Sequence, residues 1–241
     1  MARIVHGFHM TRRTRYHIPV IGIGVVVVGI ALYGMMATQS VVVHELLTGL
    51  ALSLYRIFLA YLFSLALALL IAIPTSQSRY GDVLIPIFDL LQNLPSFALI
   101  PLFVYLFGYT NLMVVIFAAT SILWPILFYV LHALKTAKVE LNDAATMFGA
   151  VGGKRDVYYL LPLSFSAAVT GSIVGFSIGW EAIIGVEIIG LTTGIGVFLN
   201  NTLAQDKGIF TLGLGALLLA VFIINRLIWM PLLRRSQLYS E

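Results

Sequence analysis

The chain has 241 residues, of which 60% are hydrophobic and 10% charged, and its mean hydropathy is +1.01. Soluble domains carry about 25% charged residues, so this chain cannot clothe a globular surface with polar groups and reads as an integral membrane protein. The net charge of +4 comes mostly from basic residues that flank apolar runs, which suits lipid headgroups better than a nucleic-acid face, and the absence of cysteine excludes disulfides and thiolate metal sites.

A membrane-crossing helix needs about 20 mainly apolar residues. Six stretches qualify: 18–37, 50–74, 83–107, 112–134, 162–190 and 209–232. Residues 1–17 form a basic N-terminal segment, and residues 18–241 read as one transmembrane domain because no linker or low-complexity stretch divides them. The first apolar run is too long for a signal-peptide core and ends in "GMMATQS" without a small-x-small cleavage site, so it is expected to be a retained anchor. In the second span Arg56 lies in the outer third. The third holds "QNLPSFALIP", where Pro95 and Pro101 are expected to kink a helix. Gln92, Asn93 and Ser96 beside that kink are candidates for facing a water-filled cavity.

Between the fourth and fifth spans lies a long polar loop, 135–161. Its segment 139–148 has helical character, and glycines at 149, 152 and 153 then predict a sharp turn before a second short helix. Within this loop "GAVGGKRD" falls short of a phosphate-binding loop. Gly149 and Gly153 enclose three residues instead of four, and Lys154 is followed by Arg155 instead of a hydroxyl. The fifth span carries Gly171, Gly175 and Gly179 on one helical face, the spacing at which backbones approach closely, either for plain helix packing or along a pathway. It also carries Glu181 and Glu187, buried-depth carboxylates that are functional suspects by default, as is Arg56. Glu187 and Arg56 lie at similar depth, which permits an ion pair. Arg226, in the sixth span, is close enough to the membrane surface to snorkel.

Counting Lys and Arg orients the chain. With six spans both termini share a side, and that side holds eleven of the fourteen basic residues, including those of the 75–82 and 135–161 loops. The positive-inside rule places both termini and these loops in the cytoplasm. Two enzymatic motifs can be set aside. "GFSIG" at 175–179 matches the hydrolase elbow G-x-S-x-G, but the only histidine within the six expected spans, His132, lies about 22 Å from Ser177 in depth at 1.5 Å per residue. No metal-ligand spacing is present, so no catalytic or metal residues are assigned.

"DAATMFG" followed by "YYLLP" resembles the EAA loop of the permeases of ATP-binding-cassette (ABC) importers. Ala144, Ala145, Gly149 and Pro162 fall at that motif's spacing, with Asp143 in place of the usual glutamate. "LALSLYRIFLAYL", "IPIFDLLQNLPSFALIPLFVYLFG" and "GWEAIIGVEIIGLTTGIGVFL" are similar to further segments of the nitrate, sulfonate and taurine branch. Glu187 stands at that branch's glutamate position.

The resemblance implies an all-α, six-span type I importer permease in a bacterial or archaeal cytoplasmic (inner) membrane. It implies a loop in which Glu140, Asp143, Ala144, Ala145, Gly149, Lys154 and Arg155 dock a separate ATPase subunit. It further implies two such ATPase subunits holding ATP and Mg, with no cofactor in this chain. A second permease copy or paralogue, an extracytoplasmic solute-binding protein and membrane lipid complete the expected partners, with no nucleic acid. Arg56, Gln92, Asn93, Ser96, Gly171, Gly175, Gly179, Glu181 and Glu187 are the candidates for the pathway or for helix packing. The alternative from the residues alone is an ion-coupled secondary transporter that needs no ATPase.

Overall fold

The computed structural model describes residues 29, 40–137, 145–149 and 151–237. The basic N-terminal segment and, Gly29 aside, the expected first span lie outside the described residues, as do Glu140, Asp143 and Ala144 of the loop.

Helix α1, Ser40–Gln77, is 38 residues long and begins ten residues before the apolar run that predicts it. Its early polar residues His44, Glu45 and Thr48 are all exposed, so they extend the helix without entering the core. The segment expected as a third span is two helices, α2 (Gly81–Gln92) and α3 (Ile100–Phe107), joined through a 3₁₀ turn at Ser96–Leu99. The two halves meet at 82°. This corrects the expectation of a kinked single helix. Leu94 precedes Pro95 and is pushed away from helical geometry, and Pro95 itself is extended, with ψ 111°. Pro101 does not kink anything, because it occupies the first turn of α3, where its missing N–H has no partner to lose. Helix α4, Asn111–Lys135, starts where Thr110 accepts a hydrogen bond from the Met113 N–H at 3.2 Å.

Helix α5 runs from Gly153 to Gly190, and α6 from Ile195 to Leu203. Helix α7, Lys207–Ser236, is capped by Asp206, whose carboxylate accepts from the Gly208 and Ile209 N–H groups. The second short helix expected in the loop is not separate: residues 153–155 are the first turn of α5, which passes through a π-turn at Asp156–Leu160 into the span. A second π-turn, Asn225–Trp229, interrupts α7. Each is followed by one residue and then a proline, Pro162 or Pro231. Proline cannot donate to the carbonyl four residues back, and the widened turn carries the helix past that missing bond.

Among the described residues α1, α4, α5 and α7 are long and apolar enough to cross a membrane, and the bent pair makes a fifth crossing if counted as one. The bent pair does traverse the bundle. A Cβ on Gly81 would lie 3.6 Å from Lys135 Nζ at one end, whereas the Tyr109 ring sits over Gly190 at the other. Helix α4 is the hub, with 61% of its apolar window buried against 22% for α7. Gly171, Gly175 and Gly179 all face it. A Cβ there would meet Ile126 Cα at 2.8 Å, Ile122 O at 2.8 Å and Ile122 Cδ1 at 2.6 Å, so the glycine ladder serves helix packing within this chain. Polar bonds tie α1 to the same core: Ser64 Oγ donates to the Ala119 carbonyl (2.7 Å), and the Tyr61 hydroxyl bonds Ser172 Oγ (3.2 Å).

Candidate functional site

Ser53 and Arg56 lie three residues apart on α1, hence on one face. Glu187 occupies the last turn of α5, and Asn111 opens α4. The connection 191–194 folds back over them because Gly194 adopts φ 139°, and α6 then starts at Ile195. Glycine is required at 194 twice over: the backbone is left-handed, and a Cβ would run into the Glu187 carboxylate. Gly49 and Gly196 are tight as well, since a Cβ on either would press on the 194 carbonyl or the 184 carbonyl.

The result is a buried ion pair with every polar partner supplied. Arg56 Nη1 donates to Glu187 Oε1 at 2.6 Å, with the side chains 2% and 0% exposed. The same oxygen accepts from Ser53 Oγ at 2.6 Å, and Oε2 accepts from the Gly196 N–H at 2.9 Å. Ser53 Oγ in turn accepts from the Ile195 N–H at 2.9 Å. Arg56 uses all five of its N–H groups. Beyond Glu187 they go to the Thr193 carbonyl (2.8 Å), Thr193 Oγ1 (3.2 Å) and, from Nε and Nη2, Asn111 Oδ1 (2.9 and 2.6 Å). One knot therefore joins α1, α4, α5, the 191–194 connection and the N-terminus of α6. Its charges neutralise one another, and neither is accessible to a solute. A cavity of about 340 Å³ adjoins the knot, lined by Glu45, Thr48, Thr193, Gly194 and Asn201 among others.

The other expected residues lie elsewhere. Glu181 is exposed, two turns below Glu187 on α5. Gln92 and Asn93 sit at the α2–α3 break, where their side-chain amides donate to Asp89 Oδ1 (2.6 Å) and the Asp89 carbonyl (2.7 Å); Ser96 is half-buried on the next turn. Ser177 of the hydrolase-like motif donates to the Ile173 carbonyl at 3.1 Å, an ordinary helical use of a serine. Among the described residues no three or more His, Asp or Glu side chains gather to hold a metal ion.

At the far end, 145–149 and 151–154 form a turn with an exposed tip, while Leu160 farther along α5 is already buried in the core. Gly149 (φ 80°) and Gly152 (φ 56°) reverse the chain, with nothing within 4 Å of a Cβ at either. Met147 and Phe148 are 88% and 92% exposed, far more than packing side chains in a finished interface. Ala145, Gly149 and Lys154 line a shallow cavity of about 350 Å³ with Phe148, Tyr158 and Tyr159. Arg155 is half-buried on the first turn of α5, and Gln77 Nε2 donates to Asp156 Oδ1 at 2.8 Å, tying the end of α1 to the start of α5.

Sequence reasoning missed Ser53, Asn111 and Thr193 as members of the knot. Ser53 is the serine of "SLYR", three before Arg56, and that spacing was the available signal. Nothing local marks Asn111 or Thr193, because their roles depend on where the 191–194 connection lands.

A family described as the binding-protein-dependent transport system inner membrane component matches residues 64–235, well over half of the chain. Among curated relatives, the taurine transport system permease protein TauC of Escherichia coli is 26% identical over 73% of this chain and 65% of its own length. The putative aliphatic sulfonates transport permease protein SsuC of Bacillus subtilis is 22% identical over 65% of this chain and 57% of its own length. The nitrate import permease protein NrtB of Synechococcus elongatus is 22% identical over 61% and 53%. The chain thus spans less than two thirds of the length of these relatives.

Proposed function

The chain belongs to the binding-protein-dependent transport system inner membrane components, a family of multi-pass transport permeases, and from that premise we propose that it is the membrane subunit of an ATP-driven importer. It pairs with a second copy or a paralogue, docks two ATPase subunits on its 135–161 loop and receives a small solute from an extracytoplasmic binding protein. ATP and Mg belong to the ATPase subunits, and this chain is not an enzyme. Six spans with both termini in the cytoplasm, residues 1–17 as a basic segment and 18–241 as a single domain, complete the topology.

The observation that carries this reading is the exposed turn at 145–149. An apolar pair, Met147 and Phe148, projects from a membrane bundle at the glycine of the docking motif. Gly171 packs on Ile126 and Gly175 on Ile122 of the antiparallel α4, so Lys135 lies level with about residue 162 of α5, and the first nine residues of α5 extend about 14 Å farther at 1.5 Å per residue. An apolar pair held that far out needs a protein to cover it. Because α5 is continuous from this turn to Glu187, a push on the turn is delivered along a single helix to the buried knot. Docking residues Glu140, Asp143, Ala144, Ala145, Gly149, Lys154 and Arg155 belong to the same proposal, as do Gln92, Asn93, Ser96 and Glu181 for the pathway.

The test is purification of the tagged chain in mild detergent, with complex mass, co-purifying proteins and ATP hydrolysis as readouts. An ATP-hydrolysing soluble partner at two per two permeases is expected. A stable particle with no ATPase would favour an ion-driven carrier and refute the reading.

A further inference from the structure

Glu181 has a setting unlike that of the other deep charges. Six residues before it, Gly175 packs on the Ile122 backbone at the middle of the 25-residue α4, so Glu181 lies about 9 Å from mid-depth at 1.5 Å per residue, within the span and nine residues short of the end of α5. It is exposed, and so are Val174, Ser177, Ile178 and Ile188, which recur at helical spacing as one stripe turned away from the glycine ladder. One turn farther on, the Phe97 ring lies over Gly185 and brings the α2–α3 break alongside. On the other side of the bend α2 carries an exposed carboxylate of its own, Asp89, which accepts from the amides of Gln92 and Asn93.

A carboxylate at that depth is costly against hydrocarbon, and such groups face water-filled cavities or protein. The deep arginine does not compensate it, because all five Arg56 N–H groups are taken up in the Glu187 knot. Arg226 sits about 19 residues into α7, toward the end where Arg234 and Arg235 lie, and its Nη1 contacts Met230 Sδ. Glu181 is therefore the one charge on a stripe otherwise made of Val174, Ser177, Ile178 and Ile188, which leaves that stripe net negative.

We infer that Glu181 is the charge-selecting residue of a water-filled pathway along this stripe, favouring a solute that carries a cationic nitrogen, a cation or a zwitterion, over a simple anion. The inference rests on the permease reading and adds the chemistry of the solute. It also separates this chain from a pathway built for nitrate, in which a fixed negative charge on the wall repels the cargo.

The absence of native cysteine makes the test clean. In the assembled complex in membrane vesicles, Ser177→Cys, one turn from Glu181, is reacted with a cationic (trimethylammonium) and an anionic (sulfonate) methanethiosulfonate, and modification of this chain is read by intact mass. Ile188→Cys on the same stripe is a second position should the first disturb folding. One charge about 6 Å away in water accelerates the cation and retards the anion about threefold each. The cation-to-anion rate ratio of the Ser177→Cys thiol, relative to a free thiol, is expected to be raised about tenfold and to return to the free-thiol value when Glu181→Gln is added. A thiol that neither reagent reaches at either position, or a ratio indifferent to Glu181→Gln, overturns the inference. Failure of the permease reading shows separately, as a complex without an ATPase, while the reactivity ratio remains measurable.

Discussion

Replacing Glu187 with Gln removes one charge and almost no volume, so it isolates the electrostatics of the buried knot. The glutamine carbonyl can still accept from Arg56 and Ser53. Its NH₂ then faces the Gly196 N–H, donor against donor, where Oε2 now accepts at 2.9 Å. Arg56 is left as a cation with 2% exposure and no anion. Breaking one side of a buried pair costs about 3–5 kcal/mol, of which the stranded Gly196 donor accounts for about 1–3 kcal/mol. At about 2–4 °C per kcal/mol for a chain of this length, the midpoint of thermal unfolding should fall by about 6–20 °C. The natural probe is tryptophan fluorescence in detergent, since Trp180 and Trp229 are buried in the same core and Trp124 packs against it. A double-mutant cycle with Arg56→Gln should show the pair losing less than the sum of the two singles, by about 0.5–3 kcal/mol. A midpoint within 2 °C of the parent, on the order of 1 kcal/mol or less, or a strictly additive double mutant, would refute the claim that this pair holds the helices together.

Gly194→Ala should resemble Glu187→Gln in stability without altering any charge, because its Cβ collides with the carboxylate and its φ of 139° is strained for alanine; thermal unfolding read side by side with Glu187→Gln checks this. Gly175→Leu should prevent accumulation of folded protein, since even a Cβ there lies 2.8 Å from the Ile122 carbonyl, whereas Gly153→Ala, with nothing within 4 Å, should be silent; membrane expression and monodispersity report both. Phe148→Glu should leave the midpoint within about 2 °C, the range of a surface substitution, yet abolish co-purification of the ATPase, because the side chain is 92% exposed and touches little of its own fold.

How much of this was legible beforehand differs by element. The apolar runs located α1, α4, α5 and α7 because hydrocarbon thickness is a strict ruler. The Arg56–Glu187 meeting was legible as matched depth, since two opposite charges at one level in a membrane have few other resolutions. The sharp α2–α3 bend was not, because a proline in an apolar run reads equally as a kink or as a break, and only the backbone itself shows Pro95 extended, with ψ 111°. The start of α5 was misplaced for a related reason: three glycines read as a stop signal, yet two supply the left-handed turns and the third, Gly153, begins a helix. Ser53 was visible in its motif and overlooked, whereas Asn111 and Thr193 owe their place to a connection whose landing no local pattern specifies.

The two π-turns have a consequence for counting. Each holds one residue more than an α-turn would, which advances the helical phase by about 100°. A wheel drawn evenly through α5 therefore puts Lys154 and Arg155 on faces they do not occupy relative to Gly171 and Glu187, and the same slip separates Arg234 and Arg235 from the rest of α7. The surplus residue is tied to the proline that follows. Where a related chain has lost Pro162 or Pro231 it has lost the reason for the extra residue too, and the two sequences should then align with a gap of one at 156–160 or 225–229.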